Sequence, residues 1–123
     1  MKEKEEKQNK DCIFCKIARG EIKVEKILET ENFFAIKDLH PKTRGHVLVI
    51  PKKHFLNLLD LPSSLYGEML ETAKEIALNL MKQENSEGFN LIMNNFEVAG
   101  QKVMHAHLHI LPRYDDNVEM GLP

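Results

Sequence analysis

The sequence predicts an α+β fold with a five-stranded antiparallel sheet, one long helix and a short N-terminal helix. Three observations favour this class. Short β-prone runs are joined by short polar links, which favours antiparallel pairing over βαβ repeats. One stretch in the middle of the chain changes to the period of an amphipathic helix. The chain has 123 residues, 42% of them hydrophobic, which is enough for one domain around one core.

The first half of the chain contains the short helix and three strands. The stretch CIFCKIARGE forms a short apolar helix that ends at Gly20 and is stable only when docked. Residues 24–30 and 33–39 are β-prone runs that form a hairpin. Residues 45–51 form the third strand, and the proline at its end cannot continue a central ladder.

The second half begins with the long helix. Apolar residues recur there at steps of three or four, which predicts an amphipathic helix of about five turns with its apolar stripe in the core. The helix begins near Pro62 and ends before Gly88. Residues 89–95 and 105–111 are the last two strands, the second followed by Pro112, and residues 96–103 form a loop. The stripe consists of Leu65, Met69, Ala73, Ile76 and Leu80.

Charge and hydropathy exclude several classes of partner. The net charge of -2 comes from 17 basic and 19 acidic residues mixed along the chain, so no basic surface for long nucleic acid is expected. Residues 1–10 alternate charges and are predicted to be a disordered tail, which leaves 11–123 as a single domain. Because the sequence has no apolar run of about 18 residues and no secretory signal, we expect no membrane contact and a cytoplasmic location.

Both cysteines of the chain, Cys12 and Cys15, lie in the stretch DCIFCKI. Such a pair can be half of a metal site, a redox pair, or two small apolar side chains. A redox pair typically opens a helix after a parallel strand, and no strand-like run precedes Asp11. The pattern therefore favours a metal half-site.

Three of the six histidines alternate in the stretch HAHLHIL. On a strand, His105, His107 and His109 would share one face, and the apolar residues between them would face the core. Side chains at i and i+2 lie about 6.5 to 7 Å apart, too far for all three to bind one tetrahedral ion unless the strand bends. His40 stands alone in DLHPKT and is interpreted as an ordinary turn residue.

The loop before these histidines has the composition of an anion site. Gly100 and Gln101, in the stretch AGQKV, allow backbone N–H groups to turn toward an anion. An anion beside a neutral imidazole suggests phosphoryl chemistry. In that chemistry the attacking nitrogen must be unprotonated and the other ring nitrogen must be held by a partner.

These stretches together resemble one family. HAHLHIL matches the signature of the histidine triad (HIT) superfamily of nucleotide hydrolases and transferases. CIFCKIARGEI, FAIKDLHPKTRGHVLVIPKKH and AGQKVMHAHLHILPR are similar to blocks of its Hint branch, in order from Cys12 to Arg113. The resemblance implies an α+β fold with a five-stranded sheet, a homodimer, and a pocket for a purine nucleotide such as AMP or its conjugates.

The resemblance also implies catalytic roles. It makes His107 the nucleophile, which forms a covalent nucleotidyl-histidine that water then cleaves. It places His109 against the α-phosphate and His46 near the triad as a supporting residue. Asp38 would hold the ribose hydroxyls, with Leu39 against the base. The implied nucleotide-binding residues are Asp38, Leu39, Asn94, Gly100, Gln101, Lys102, Val103, His107 and His109.

Members of this branch with two cysteines near the N-terminus bind a zinc ion, which implies one structural zinc per subunit here. Two thiolates and two imidazoles form a closed tetrahedral site, so such a zinc would hold the N-terminal segment and would not activate water. The ligands implied are Cys12, Cys15, His54 and His105.

Two positions depart from the family pattern. Lys102 stands where serine or threonine is common, and Phe96 stands where glycine is frequent. The favoured function is an enzyme that acts on purine nucleoside phosphoramidates or related conjugates. The alternatives are a zinc-stabilised nucleotide-binding interaction module with little turnover, motivated by these departures, and a hydrolase that uses the histidines as a catalytic metal site.

Overall fold

Five antiparallel strands form one sheet in the order β1-β2-β3-β5-β4. The computed structural model describes residues 11–116 and 119–123, so the predicted tail at 1–10 lies outside the described residues. The sheet and its two helices confirm the predicted fold class. The strands are β1 (Leu28–Glu29), β2 (Phe33–Lys37), β3 (Val47–Pro51), β4 (Gly88–Ile92) and β5 (Leu108–Arg113), and the helices are α1 (Ile13–Ala18) and α2 (Tyr66–Gln83). Two short 3-10 helices cover Ser63–Leu65 and Glu97–Ala99.

Helix α2 covers one face of the sheet. Four residues of its predicted apolar stripe are buried, Met69, Ala73, Ile76 and Leu80, whereas the fifth, Leu65, is half-buried in the 3-10 helix before α2. These side chains pack with Phe33 and Ile110 and with the alternate residues of the central strands. Burial of this stripe is what holds the helix, because isolated helices are marginal in water.

Helix α1 covers the opposite face. Phe14 and Ile17 of this helix pack against Phe34, Leu48 and Ile50 of β2 and β3. The central strands are therefore buried on both faces, which explains why FFAI and VLVI are continuous apolar runs without polar alternation. A helix of six residues is stable here only because it is docked.

The first predicted strand is shorter than expected. Residues 24–30 were expected to pair, but β1 contains only Leu28–Glu29, which pair with Ala35 and Phe34. Glu25 and Lys26 have weak strand propensity and lie at the edge of the sheet, where a single neighbour supplies all hydrogen bonds.

The prediction of a strand over residues 105–111 is wrong at both ends. Pairing of β5 with β3 stops at Leu108, and the chain before it turns away so that the Ala106 N–H donates to the Phe55 carbonyl, 2.7 Å away. At the other end β5 runs through Pro112, which is tolerated because only β4 pairs with the strand at that point. Two of the three alternating histidines therefore precede the strand.

In the described part of the chain, neither helix combines the length and apolar character that crossing a membrane requires.

Candidate functional site

The bend before β5 separates the three alternating histidines into different surroundings. His105 is fully buried and His107 is 8% exposed, whereas His109 is half-buried on the strand itself. The rings of His107 and His109 remain close, with centroids 5.0 Å apart. His105 instead faces the two cysteines.

Among the described residues, four side chains converge beneath α1: Cys12, Cys15, His54 and His105. The Cys12 Sγ lies 3.2 Å from the His105 Nδ1, and the Cys15 Sγ lies 3.4 Å from the His54 Nδ1. One ligand atom from each of the four lies within 4.8 Å of all the others. The structure thus brings together the four residues that the resemblance implied as zinc ligands.

The local structure explains this convergence. Cys12 caps the N-terminus of α1, where its Sγ accepts a hydrogen bond from the Cys15 N–H at 3.4 Å. Cys15 lies in the first turn of that helix, so both sulfurs point to the same side. His54 follows the end of β3 and His105 precedes β5, and these strands are neighbours in the sheet.

This cluster, here called the Cys–His cluster, fits a tetrahedral metal ion. Zinc–sulfur and zinc–nitrogen bonds of ordinary length place sulfur and nitrogen about 3.6 Å apart, close to the observed separations. The His105 Nε2 lies 2.8 Å from the Pro51 carbonyl oxygen, which can only accept, so Nε2 carries the proton. Its Nδ1 then presents a lone pair toward the sulfurs, as metal-binding imidazoles with a hydrogen-bonded second nitrogen do.

A second cluster, here called the Asp–His cluster, contains Asp38, His46 and His109. The His46 Nε2 lies 3.0 Å from the His109 Nδ1 and 3.4 Å from the Asp38 Oδ2. The Lys42 N–H donates to the His46 Nδ1 at 3.1 Å, so the proton of the neutral His46 ring is on Nε2. The His109 Nδ1 accepts this proton, which leaves the proton of His109 on Nε2.

The Asp–His cluster fits a metal ion poorly, although its atoms also lie within 4.8 Å of one another. A metal ion on the His46 Nε2 would displace the ring proton while Nδ1 accepts from the Lys42 N–H. The ring would then carry no proton, whereas metal-binding imidazoles normally donate through their second nitrogen. We therefore interpret this cluster as a hydrogen-bond network.

His107 lies between the two clusters. Its Nδ1 is 2.7 Å from the carbonyl oxygen of His105, so Nδ1 donates and Nε2 keeps a free lone pair. The edge-on ring of Phe14 packs against it, with centroids 5.2 Å apart. This side chain has the tautomer and the fixed orientation that a nucleophilic imidazole requires.

Burial keeps the imidazoles of the site neutral. Desolvation lowers the pKa of His105 and of His109 from 6.5 to about 4. It also lowers the pKa of His107 and of His46, although the negative charge of Asp38 partly opposes the shift. At neutral pH the site therefore presents unprotonated nitrogens rather than imidazolium ions.

The predicted phosphate loop is held by Gln101, whose side chain is buried. Its Oε1 accepts from the Phe96 N–H at 2.8 Å, and its Nε2 donates to the carbonyls of Leu56 and Val103 at 2.6 and 3.0 Å. The structure thus gives the Gln101 side chain a role in fixing the loop. Its predicted contact with nucleotide stays a prediction.

The other predicted loop residues lie around this anchor. Gly100 has a φ of 102°, and a Cβ placed there would lie 3.6 Å from the side-chain nitrogen of Asn94. Lys102 is exposed and Val103 is half-buried. Leu39 is exposed beside Asp38, where the chain leaves β2. The roles of these residues in nucleotide binding stay predictions.

Phe96 adopts a backbone conformation that favours glycine. Its φ is 78° and its ψ is 153°, and its side chain is 53% exposed. Glycine adopts such a conformation without steric cost, whereas a side chain is strained there. The departure from the family pattern therefore has a structural consequence in this loop.

Sequence reasoning missed Phe14 and Lys42. Phe14 contacts the rings of both His105 and His107, and the only sequence signal was an apolar residue between the two cysteines. Lys42 acts through its backbone N–H, which carries no residue-specific signal. His40 is exposed in the turn after β2, which agrees with its interpretation as an ordinary turn residue.

The family assignment follows from this arrangement and from a direct comparison. The HIT domain family model matches residues 19–116, which include β1 to β5 and the three alternating histidines. The chain belongs to the HIT family. The match covers most of the chain and confirms the resemblance inferred from the motifs.

Related proteins share both sequence and fold with this HIT protein. It is 41% identical over 103 residues to an adenylylsulfatase of Arabidopsis thaliana, covering 84% of this chain and 52% of the relative. It is 36% identical over 115 residues to an adenosine 5'-monophosphoramidase of Candida albicans, covering 90% of this chain and 76% of the relative. A zinc-bound histidine triad family protein of Mycobacterium smegmatis matches with a TM-score of 0.85 and 37% identity, over 90% of this chain and 81% of the other.

Proposed function

We propose that this HIT protein is a purine nucleotide-binding hydrolase or transferase that uses a covalent nucleotidyl-histidine at His107. The observation that carries the proposal is the hydrogen bond from the His107 Nδ1 to the His105 carbonyl, at 2.7 Å. It holds the ring in one orientation and leaves Nε2 unprotonated, as attack on phosphorus requires. Relatives named monophosphoramidase and adenylylsulfatase support this reaction class.

The substrates are nucleoside phosphoramidates or related nucleotide conjugates. The His107 Nε2 forms a bond to the α-phosphorus while the bond to the leaving group breaks, and the leaving group departs with the electron pair and takes up a proton from solvent. Water then attacks the same phosphorus, breaks its bond to Nε2 and loses a proton to solvent as the nucleotide is released. Since the His109 proton is on Nε2, that N–H can donate to a phosphate oxygen whose charge increases in the transition state.

The remaining residues bind the nucleotide. Asp38 contacts the ribose hydroxyls and Leu39 the base, at the end of β2. The loop held by Gln101 supplies donors to the phosphate, including the backbone N–H of Val103 and the ammonium group of Lys102. Asn94 completes this side of the pocket. The family membership of the chain supports these assignments.

The proposal includes one structural zinc ion in the Cys–His cluster. Zinc bound by two thiolates and two imidazoles has no open position, so it cross-links protein segments and does not activate water. The four ligands come from the segment before α1, from α1, from the segment after β3 and from the segment before β5. A cytoplasmic location suits the site, since the two thiols must remain reduced to hold the metal.

The proposal also includes a homodimer. β4 lies at the edge of the sheet, so one side of its backbone has no strand beside it in the described chain. Phe89 and Leu91 are about two-fifths exposed on that strand. An exposed apolar edge favours pairing with another chain, and symmetric dimers are the commonest oligomers.

Intact-mass spectrometry tests the covalent step. The protein is mixed with an adenosine phosphoramidate and quenched under alkaline denaturing conditions, in which a phosphorus–histidine bond survives. We expect an added adenylyl group in the wild type and in the control His40→Ala, and none in His107→Ala. Absence of both adduct and turnover in the folded wild type would rule out the enzyme.

The second candidate is a zinc-stabilised nucleotide-binding module with little turnover. The strained backbone of Phe96 favours it, because the loop facing the phosphate differs from the family pattern. Nucleotide binding measured by calorimetry, without adduct or turnover, would select this function. Loss of turnover on chelation of a protein that stays folded would instead select a catalytic metal.

A further inference from the structure

Asp38 occupies a position that a ribose contact alone does not explain. It lies opposite His46, one step beyond the last pair of the β2–β3 ladder, and its N–H donates to the His46 carbonyl at 3.0 Å. Directly opposite residues project their side chains to the same face of a sheet. The Asp38 Oδ2 accordingly lies 3.4 Å from the His46 Nε2.

The turn between β2 and β3 fixes both side chains. The His40 N–H donates to the Asp38 Oδ1 at 2.9 Å, which leaves Oδ2 directed at His46. The Lys42 N–H donates to the His46 Nδ1 at 3.1 Å, which places the ring proton on the opposite nitrogen. Two backbone groups of one turn thus orient the carboxylate and the imidazole toward each other without any ligand.

His46 passes this orientation to His109. Its Nε2–H donates to the His109 Nδ1, 3.0 Å away, and the Asp38 Oδ2 lies 3.4 Å from the same nitrogen. His46 is almost fully buried and the Asp38 side chain is 19% exposed, so water screens the carboxylate only partly. The Asp38 charge also raises the pKa of His46 and of His109 against the effect of burial.

We propose that Asp38 is a positioning residue for His109, acting through the His46 ring, independently of its contact with ribose. The carboxylate stabilises the His46 orientation in which Nε2–H donates to the His109 Nδ1. His109 is thereby kept as a single tautomer with its own proton on Nε2, directed at the substrate phosphate. The kinetic part of this inference rests on the proposed function.

A pair of substrates separates the two roles of Asp38. Adenosine phosphoramidate carries the ribose hydroxyls, and its 2',3'-dideoxy counterpart lacks them. Asp38→Asn removes the charge but is isosteric and keeps an oxygen for the His40 N–H. Asp116→Asn is the matched control, since it removes the same charge from an exposed pair with Arg44.

We expect kcat on the dideoxy substrate to fall about tenfold in Asp38→Asn, because the carboxylate charge beside the His46 ring is lost. The control should match the wild type. If Asp38 only binds ribose, Asp38→Asn and wild type will have equal kcat on the dideoxy substrate, and the loss will be confined to KM of the ribose substrate. That result would overturn the proposal.

Nitrogen-15 NMR of the histidine rings in the ligand-free protein gives a test that needs no turnover. The wild type should show His109 as the Nε2–H tautomer, and Asp38→Asn should show a mixture of tautomers. An unchanged single tautomer in Asp38→Asn would refute the positioning role. If the wild type neither turns over substrate nor forms an adduct, the proposed function fails, and the NMR result alone decides the role of Asp38.

Discussion

The Cys–His cluster and the Asp–His cluster each contain two histidines at similar distances but differ in where the imidazole protons lie. In both, the ligand-capable atoms lie within 4.8 Å of one another. In the Cys–His cluster, the second nitrogen of His105 donates to a carbonyl, so the nitrogen facing the cluster has a free lone pair. In the Asp–His cluster, the second nitrogen of His46 accepts from an N–H, so the nitrogen facing the cluster carries the proton.

This difference shows that the hydrogen-bond partner of the second imidazole nitrogen decides whether the nitrogen facing the cluster can bind a metal or can donate a proton. A carbonyl acceptor behind an imidazole prepares it to bind a metal, whereas an N–H donor behind it prepares it to donate. One histidine joins the two regions, because the carbonyl of His105 in the Cys–His cluster accepts from the proposed nucleophile His107. Three predictions sharpen the comparison.

The largest effect is expected for Cys15→Ser. It removes a buried thiolate ligand, so zinc binding should weaken by about 100-fold or more. The variant should also lose the stability that a structural metal provides. Elemental analysis after dialysis and thermal denaturation with and without zinc measure the two effects.

The matched control for the metal site lies in the other cluster. His109→Asn should retain the same zinc content as the wild type, since the Asp–His cluster holds no metal in this interpretation. A zinc ion that disappears with His109→Asn and stays in Cys15→Ser would reverse the assignment of the two clusters.

A smaller effect is expected for His46→Ala. The variant should bind zinc normally but turn over an adenosine phosphoramidate about 10- to 100-fold more slowly, because His109 loses the donor that fixes its tautomer. Steady-state kinetics measures the change. His40→Ala removes an exposed histidine from the same turn and should have wild-type kcat. Equal losses of kcat in His46→Ala and His40→Ala would show that activity depends on the turn and not on the His46 imidazole.

The smallest effect concerns stability at acidic pH. Burial lowers the pKa of His109 from 6.5 to about 4, so the unfolded chain takes up the proton first as the pH falls. The contribution of His109 to the free energy of unfolding is complete above about pH 6.5 and decreases toward about pH 4. Urea denaturation over this pH range should show a larger decrease in the free energy of unfolding for the wild type than for His109→Asn. Parallel curves would mean that His109 does not contribute.

Much of the fold was predictable because local patterns and burial agree. The stripe of α2 is buried as its period indicated, and the runs FFAI and VLVI form the two central strands. The last strand was mispredicted because alternation of HAHLHIL suits a strand, while the hydrogen bonds from Ala106 to Phe55 after β3 and from His105 to Pro51 at the end of β3 bend the chain. Such long-range contacts leave no periodic signal in the sequence.

By itself, the sequence determined the residue types of the site and their order along the chain. The two cysteines, the alternating histidines and the glycine-containing loop indicate metal and phosphate chemistry through side-chain properties alone. Only the tertiary structure decided which nitrogen of each imidazole carries the proton. That choice depends on the Pro51 carbonyl, the His105 carbonyl and the Lys42 N–H. Every residue type except proline has the same backbone N–H donor and C=O acceptor. The effect of these three backbone groups on the imidazoles therefore arises from their position in space rather than from residue type.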